Sequence, residues 1–133
     1  MVQSLEDLEG YLRRLERRFE RLEDGTFLVA GSPDQPPLAL RLAPPVLVVQ
    51  VQISKLAAGD VQQRAKLFEK LLELNATDLL HAAYGLEAGN IVLSAALPLE
   101  HLDLNELEAV LADVDMALDH HIPVLRALAG NSK

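Results

Sequence analysis

Leucines return every three or four residues along the first part of the chain. Leu5, Leu8, Leu12, Leu15, Phe19 and Leu22 step by 3, 4, 3, 4 and 3 positions, the spacing that holds side chains on one face of an α-helix. Ser4 stands at the N-cap with Asp7 three residues on, and Asp24-Gly25 closes the segment. The stripe predicts a single helix up to Leu22, lying on this protein's own sheet rather than in a coiled coil, which needs at least about three heptads.

The period then changes to two. Thr26–Ala30 is a short β-type run, and Gly31–Pro37 is a loop by composition. Leu38, Leu40 and Leu42 alternate with Ala39, Arg41 and Ala43. Pro44-Pro45 forces a turn or an edge. Leu47, Val49, Val51 and Ile53 then alternate with Val48, Gln50, Gln52 and Ser54. These runs predict a three-strand antiparallel meander with one face in the core.

Helical spacing resumes after Gly59. Asp60 caps the second helix, with Gln63 completing a capping box. Val61, Ala65, Phe68 and Leu72 form its apolar stripe, widened by Leu71, with Leu67 and Leu74 beside it. A helix apolar over more than half its circumference is buried on two sides or forms an interface. Asn75 is expected to end it in a left-handed conformation. Two strands follow, Asp78–Leu86 and Ile91–Leu97, joined across Glu87-Ala88-Gly89-Asn90. Asp103 caps the third helix with Glu106 at N3, and Leu104, Leu107, Leu111, Val114 and Leu118 repeat the helical spacing. Pro123 is expected to kink or end this helix near His121 or Ile122, with Val124–Ala129 as a last turn before the tail Gly130–Lys133. The order is α-β-β-β-α-β-β-α, an α+β domain with helices on an antiparallel sheet, spanning residues 1–133 as one unit.

Composition narrows the function. The chain has 133 residues, enough for a core without staples, and 50% are hydrophobic but only 4% aromatic, so the core is aliphatic. No cysteine is present, which excludes disulfides, thiolate metal sites and a cysteine nucleophile. A net charge of -8 argues against nucleic acid as partner, because phosphates are neutralised by Lys and Arg. Met1–Glu9 carries acids and no base, the wrong order for a signal peptide, and no apolar run approaches the ~20 residues of a membrane span. A cytoplasmic protein with no membrane partner is expected.

Charge is unevenly spread. Arg13, Arg14, Arg17, Arg18 and Arg21 fall within nine residues, against Glu16 and Glu20. The plainer reading is a solvated face with ion pairs of about 0.3–0.5 kcal/mol each. The sharper one makes Arg14, Arg17, Arg18 and Arg21 a docking patch for an acidic partner. The third helix is acidic outside, with Asp103, Glu106, Glu108, Asp113, Asp115 and Asp119.

Chemistry is sparse. Phosphate-cradling glycine motifs and the Gly-x-Ser-x-Gly elbow are absent, and no serine has obvious histidine support. Asp115 and Asp119 are i, i+4 neighbours beside His120-His121, the best metal candidate. Adjacent histidines point about 100° apart on a helix, so only one of them, taken as His120, joins the aspartates. The alternative is an acidic helix end where a histidine is favoured by the dipole. No cofactor is expected.

Several segments resemble a known family. Leu67-Phe68-x-x-Leu71-Leu72-x-x-Asn75, Tyr84-Gly85-Leu86, Gly89-Asn90-Ile91-Val92-Leu93, Leu97-Pro98-Leu99 and Leu102-Asp103-Leu104-x-x-Leu107 look like the YbjN-like proteins, which are similar in fold to type III secretion chaperones. The closing helix of those chaperones often carries aromatics, whereas here it reads His120-His121-Ile122-Pro123. The resemblance implies a small bacterial cytoplasmic homodimer that binds an unidentified protein partner and catalyses nothing. It supplies no site residue to carry over. The partner-binding candidates are the apolar second helix at Leu67, Leu71 and Leu74, the amide-rich strand at Gln50 and Gln52, and the arginines. The alternative function is a small-molecule- or metal-binding regulatory domain.

Overall fold

The computed structural model describes residues 2–56 and 60–128. Its elements run α1 (Leu5–Arg14), β1 (Phe19–Arg21), β2 (Phe27–Val29), β3 (Leu38–Ala43), β4 (Val46–Lys55), α2 (Val61–Thr77), β5 (Ala83–Glu87), β6 (Asn90–Pro98) and α3 (Leu104–Leu128). The expected order is present, with the short strand β1 added. Six strands form one sheet in the order β1-β2-β3-β4-β6-β5, every neighbouring pair antiparallel. Gly59 and the tail from Ala129 lie outside the described residues.

The first helix is shorter than its leucine stripe implies. Ser4 does cap it, accepting from the Asp7 amide at 3.2 Å. It stops at Arg14, and Glu16 adopts a left-handed φ of 57°. Phe19 therefore belongs to β1, opposite Val29 on β2. Phe19 sets its ring edge-on to Phe27 at 5.7 Å. Apolar spacing alone does not separate a fourth helical turn from a strand; the ladder available on β2 decides it.

The meander follows the alternation. Phe27, Leu40 and Val49 lie side by side across β2, β3 and β4, and Val29 pairs with Leu38. All are buried and join Leu8 and Leu12 of α1 in the core. Pro44-Pro45 makes the β3–β4 turn. The β5–β6 hairpin turns on Ala88 and Gly89, both at positive φ (51° and 80°), the type I′ geometry that matches the strand twist.

The second and third helices both depart from expectation. Asp60 caps α2 by accepting from Gln62, not Gln63. The buried row of α2 is Leu67, Leu71 and Leu74, whereas Val61 and Leu72 are 79% and 69% exposed. The helix runs past Asn75 to Thr77, and 78–82 is a linker rather than strand. Asp103 caps α3, accepting from the Glu106 amide at 2.8 Å. α3 continues through Pro123 to Leu128 instead of ending. An internal proline costs ~3 kcal/mol, and burying Ile122 and Leu125 around it returns about 1.5–3 kcal/mol each.

Candidate partner-binding surfaces

Leu67, Leu71 and Leu74 are 1%, 5% and 5% exposed, so these three candidates fill the core and offer no contact surface. What α2 presents outward is Val61, Ala65 and Leu72, with Phe68 half-buried against the core beside them and the Arg64 guanidinium over its ring at 5.7 Å. Arg64 and Lys66 lie in its first half, and Glu69, Lys70 and Glu73 in its second. None of Arg64, Lys66, Glu69 and Glu73 has an ion-pair partner among the described residues.

Gln50 and Gln52 project from the sheet face opposite the core, where the Gln50 amide donates to Glu87 at 3.2 Å and Gln52 is exposed. Their strand is paired on both sides, with β3 and β6. The β3 ladder stops at Gln50, however, so Gln52–Lys55 has only β6 beside it.

The arginine cluster divides. Arg17 pairs with Asp115 at 2.7 Å, pinning the end of α1 to α3. Arg21 reaches Glu6 and Glu9 at 3.8 Å and covers the Phe27 ring. Arg13 pairs with Glu9. Arg14 and Arg18 are exposed without an ion-pair partner among the described residues. Arg18 separates two hollows of about 360 and 350 Å³ at the β1 end of the sheet; the second is lined by Phe19, Leu28, Ala30 and Pro37.

The metal candidates are not assembled. Asp115 is engaged by Arg17, Asp119 accepts from Ser32 and Gln35 at 3.1 and 3.2 Å, and His120 is exposed. Among the described residues no three His, Asp or Glu side chains converge as a metal site.

The histidine that matters structurally is His121, 6% exposed. Its Nε2 lies 3.1 Å from Asp78 and its Nδ1 2.7 Å from the Tyr84 hydroxyl. An ionised carboxylate only accepts, so in the neutral ring Nε2 donates to Asp78 and Nδ1 accepts from Tyr84. The group joins the end of α2, β5 and α3. Burial pushes the Tyr84 phenol pKa well above its ordinary value, which keeps it neutral and a poor nucleophile. The joint holds structure, not chemistry. It was legible in outline: a step of three from Leu118 on the buried stripe lands on His121.

The His121 hydrogen bond, aided by Thr77, holds the Asp78 carboxyl below its ordinary 3.8. A depressed folded pKa contributes stability above pH 3.8 that is lost as pH falls through the lowered value. Asp78→Asn should therefore flatten the acid side of the stability profile, read from thermal unfolding between neutral pH and pH 2. An unchanged acid limb would contradict this role.

A family model, CesT_Tir_1, matches residues 1–131. Solved structures share the fold. A chain of the heterodimeric ExoU–SpcU complex of the Pseudomonas aeruginosa type III secretion system is 17% identical, with TM-score 0.69 over 90% of this chain and 98% of that one. YbjN of E. coli is 12% identical, with TM-score 0.69 over 91% and 92%. The Yersinia pestis type III secretion chaperone SycH structure, in complex with a YscM2 fragment, gives 18%, 0.57, 86% and 99%. No curated protein matches the chain.

Proposed function

Because the chain belongs to the CesT_Tir_1 family, we propose that it is a cytoplasmic protein-binding chaperone or adaptor, a homodimer that holds a segment of a partner protein and catalyses nothing. The observation that carries this reading is the outward stripe of α2. A helix apolar on both faces has a second thing to cover it. A second copy suits the stripe: in an antiparallel α2–α2 pair, Arg64 and Lys66 of one copy approach Glu69 and Glu73 of the other, and Val61, Phe68 and Leu72 are buried between them.

The partner segment extends the strand edge at β1. β4 is flanked on both sides as far as Gln50, and the outward backbone of Tyr84 on β5 is already taken by the Asn75 side chain, at 2.7 and 3.2 Å. β1 ends the sheet on the other side, beside Arg18 and its two hollows. An extended segment placing a carboxylate near Arg18 and an apolar side chain over Leu28 fits there. Complexes such as ExoU–SpcU and SycH–YscM2 lend the reading support.

Sedimentation velocity tests the dimer. The expected result is a dimer at micromolar concentration that Leu72→Glu converts to a folded monomer, since the 69% exposed position leaves the core untouched. A wild-type monomer at every concentration would remove the α2 interface. Affinity capture from native lysate with wild type and Arg18→Glu tests the partner edge; equal capture by both would move the partner elsewhere.

A further inference from the structure

We infer that the outward face of α3 is a second docking surface, for a basic amphipathic helix of a protein partner. The inference takes from the proposed function only that the partner is a protein. It uses neither the α2 stripe nor the β1 edge.

A solvated helix face is ordinarily rich in Lys, Glu and Gln. The exposed face of α3 has neither Lys nor Gln, and apolar side chains interrupt its carboxylates. Ala109, Ala112, Met116, Pro123 and Val124 line it at helical spacing, with Met116 60% and Val124 42% exposed. His120 shares the face with Glu106 and Asp113, which fall on the helical row of Val124. The small side chains at Ala109 and Ala112 let another helix backbone come close.

The charges on this face and its flanks are all of one sign. On the flank toward α1, Asp115 is held by Arg17 and Asp119 by Ser32 and Gln35. Toward the 78–82 linker, Asp113 accepts from the His81 amide at 3.1 Å. Glu106 and Glu108 are exposed, without an ion-pair partner among the described residues. α3 carries no Lys or Arg before Arg126. These free carboxylates straddle the stripe where a hollow of about 320 Å³ opens over Leu97, Ala109 and Val110, rimmed by His81, Asp103 and Glu106.

The occupant follows from these features. Its apolar stripe lies along Ala109–Val124, a span of ~22 Å at 1.5 Å per residue. One large apolar side chain enters the hollow, and flanking Lys or Arg side chains meet Glu106 and Glu108. An acidic segment is repelled by the same carboxylates. A second copy through this face would set them against themselves.

The test is a nuclear magnetic resonance titration of the full chain with a synthetic leucine/lysine amphipathic helix of about 18 residues, and with the same peptide carrying glutamate for lysine. Shifts centred on Ala109, Ala112 and Met116 are expected with the lysine peptide alone, weakening as salt is raised. Met116→Lys, at an exposed position, should leave the fold intact and weaken binding by roughly tenfold or more. No shifts, shifts centred on α2, or equal binding by Met116→Lys would overturn the assignment. So would loss of self-association in Met116→Lys, which would make this face the copy-to-copy interface. Because the readout is peptide binding, its failure leaves the Leu72→Glu result to stand on its own.

Discussion

Phe27→Ala is expected to cost about 3–5 kcal/mol of folding stability. Phe27 heads the largest fully buried side chains and is 0% exposed. Its ring meets the edge of Phe19 at 5.7 Å, lies under Arg21 at 5.7 Å, and sits beside Leu40 in the next strand. Truncation removes the side chain's transfer free energy and leaves a cavity that a leucine-built core has few aromatics to refill. Against a total stability of about 5–15 kcal/mol for a domain, the loss takes a large share. It should lower the urea midpoint by on the order of 2 M. A midpoint close to wild type would mean that the β1–β2 corner collapses to fill the space. Phe19 and β1 would then have been tied more loosely than their packing implies.

Asn75→Ala is expected to cost about 2 kcal/mol, for a reason unrelated to helix capping. The Asn75 amide accepts from the Tyr84 N–H at 2.7 Å and donates to the Tyr84 carbonyl at 3.2 Å. One side chain thus stands in for a neighbouring strand on the outward edge of β5. Alanine would strand both backbone groups in a partly buried site. Asn75→Asp separates this account from a simple loss of packing. It keeps the acceptor but sets a second acceptor against the Tyr84 carbonyl, so it should be no more stable than alanine. Hydrogen exchange at the Tyr84 amide should accelerate in both variants. Retained protection would show that the edge is closed by something else. An unblocked β5 edge is also a pairing hazard, so both variants should aggregate more readily than wild type.

These residues also mark how far the sequence could be read. Asn75 was expected to be a left-handed stop, a role its residue type favours; the helix instead continues because the Asn75 amide has the Tyr84 backbone to pair with. The α2 stripe was visible as an apolar pattern, but two adjacent faces qualified, and the pattern held no sign of which would meet the sheet. The arginines were a single cluster in sequence; in space Arg13, Arg17 and Arg21 are ion-paired, and Arg14 and Arg18 have no ion-pair partner among the described residues. His121 was weighed as a ligand next to His120 and lies instead on the buried side, held by groups 37 and 43 residues away.

By itself the sequence determined the alternation of β2, β3 and β4, the hairpin at Ala88-Gly89, the caps at Ser4 and Asp103, and with them the α+β order. These follow from sterics and hydrogen bonding within a few residues, and neighbours in sequence suffice to decide them. Only the tertiary structure decided that α1 stops at Arg14 for β1, that Leu67 rather than Val61 turns inward, and that α3 carries through Pro123. Each was a choice between local conformations of similar cost. The choice fell to whichever alternative buried more apolar surface or paired more backbone with a distant element.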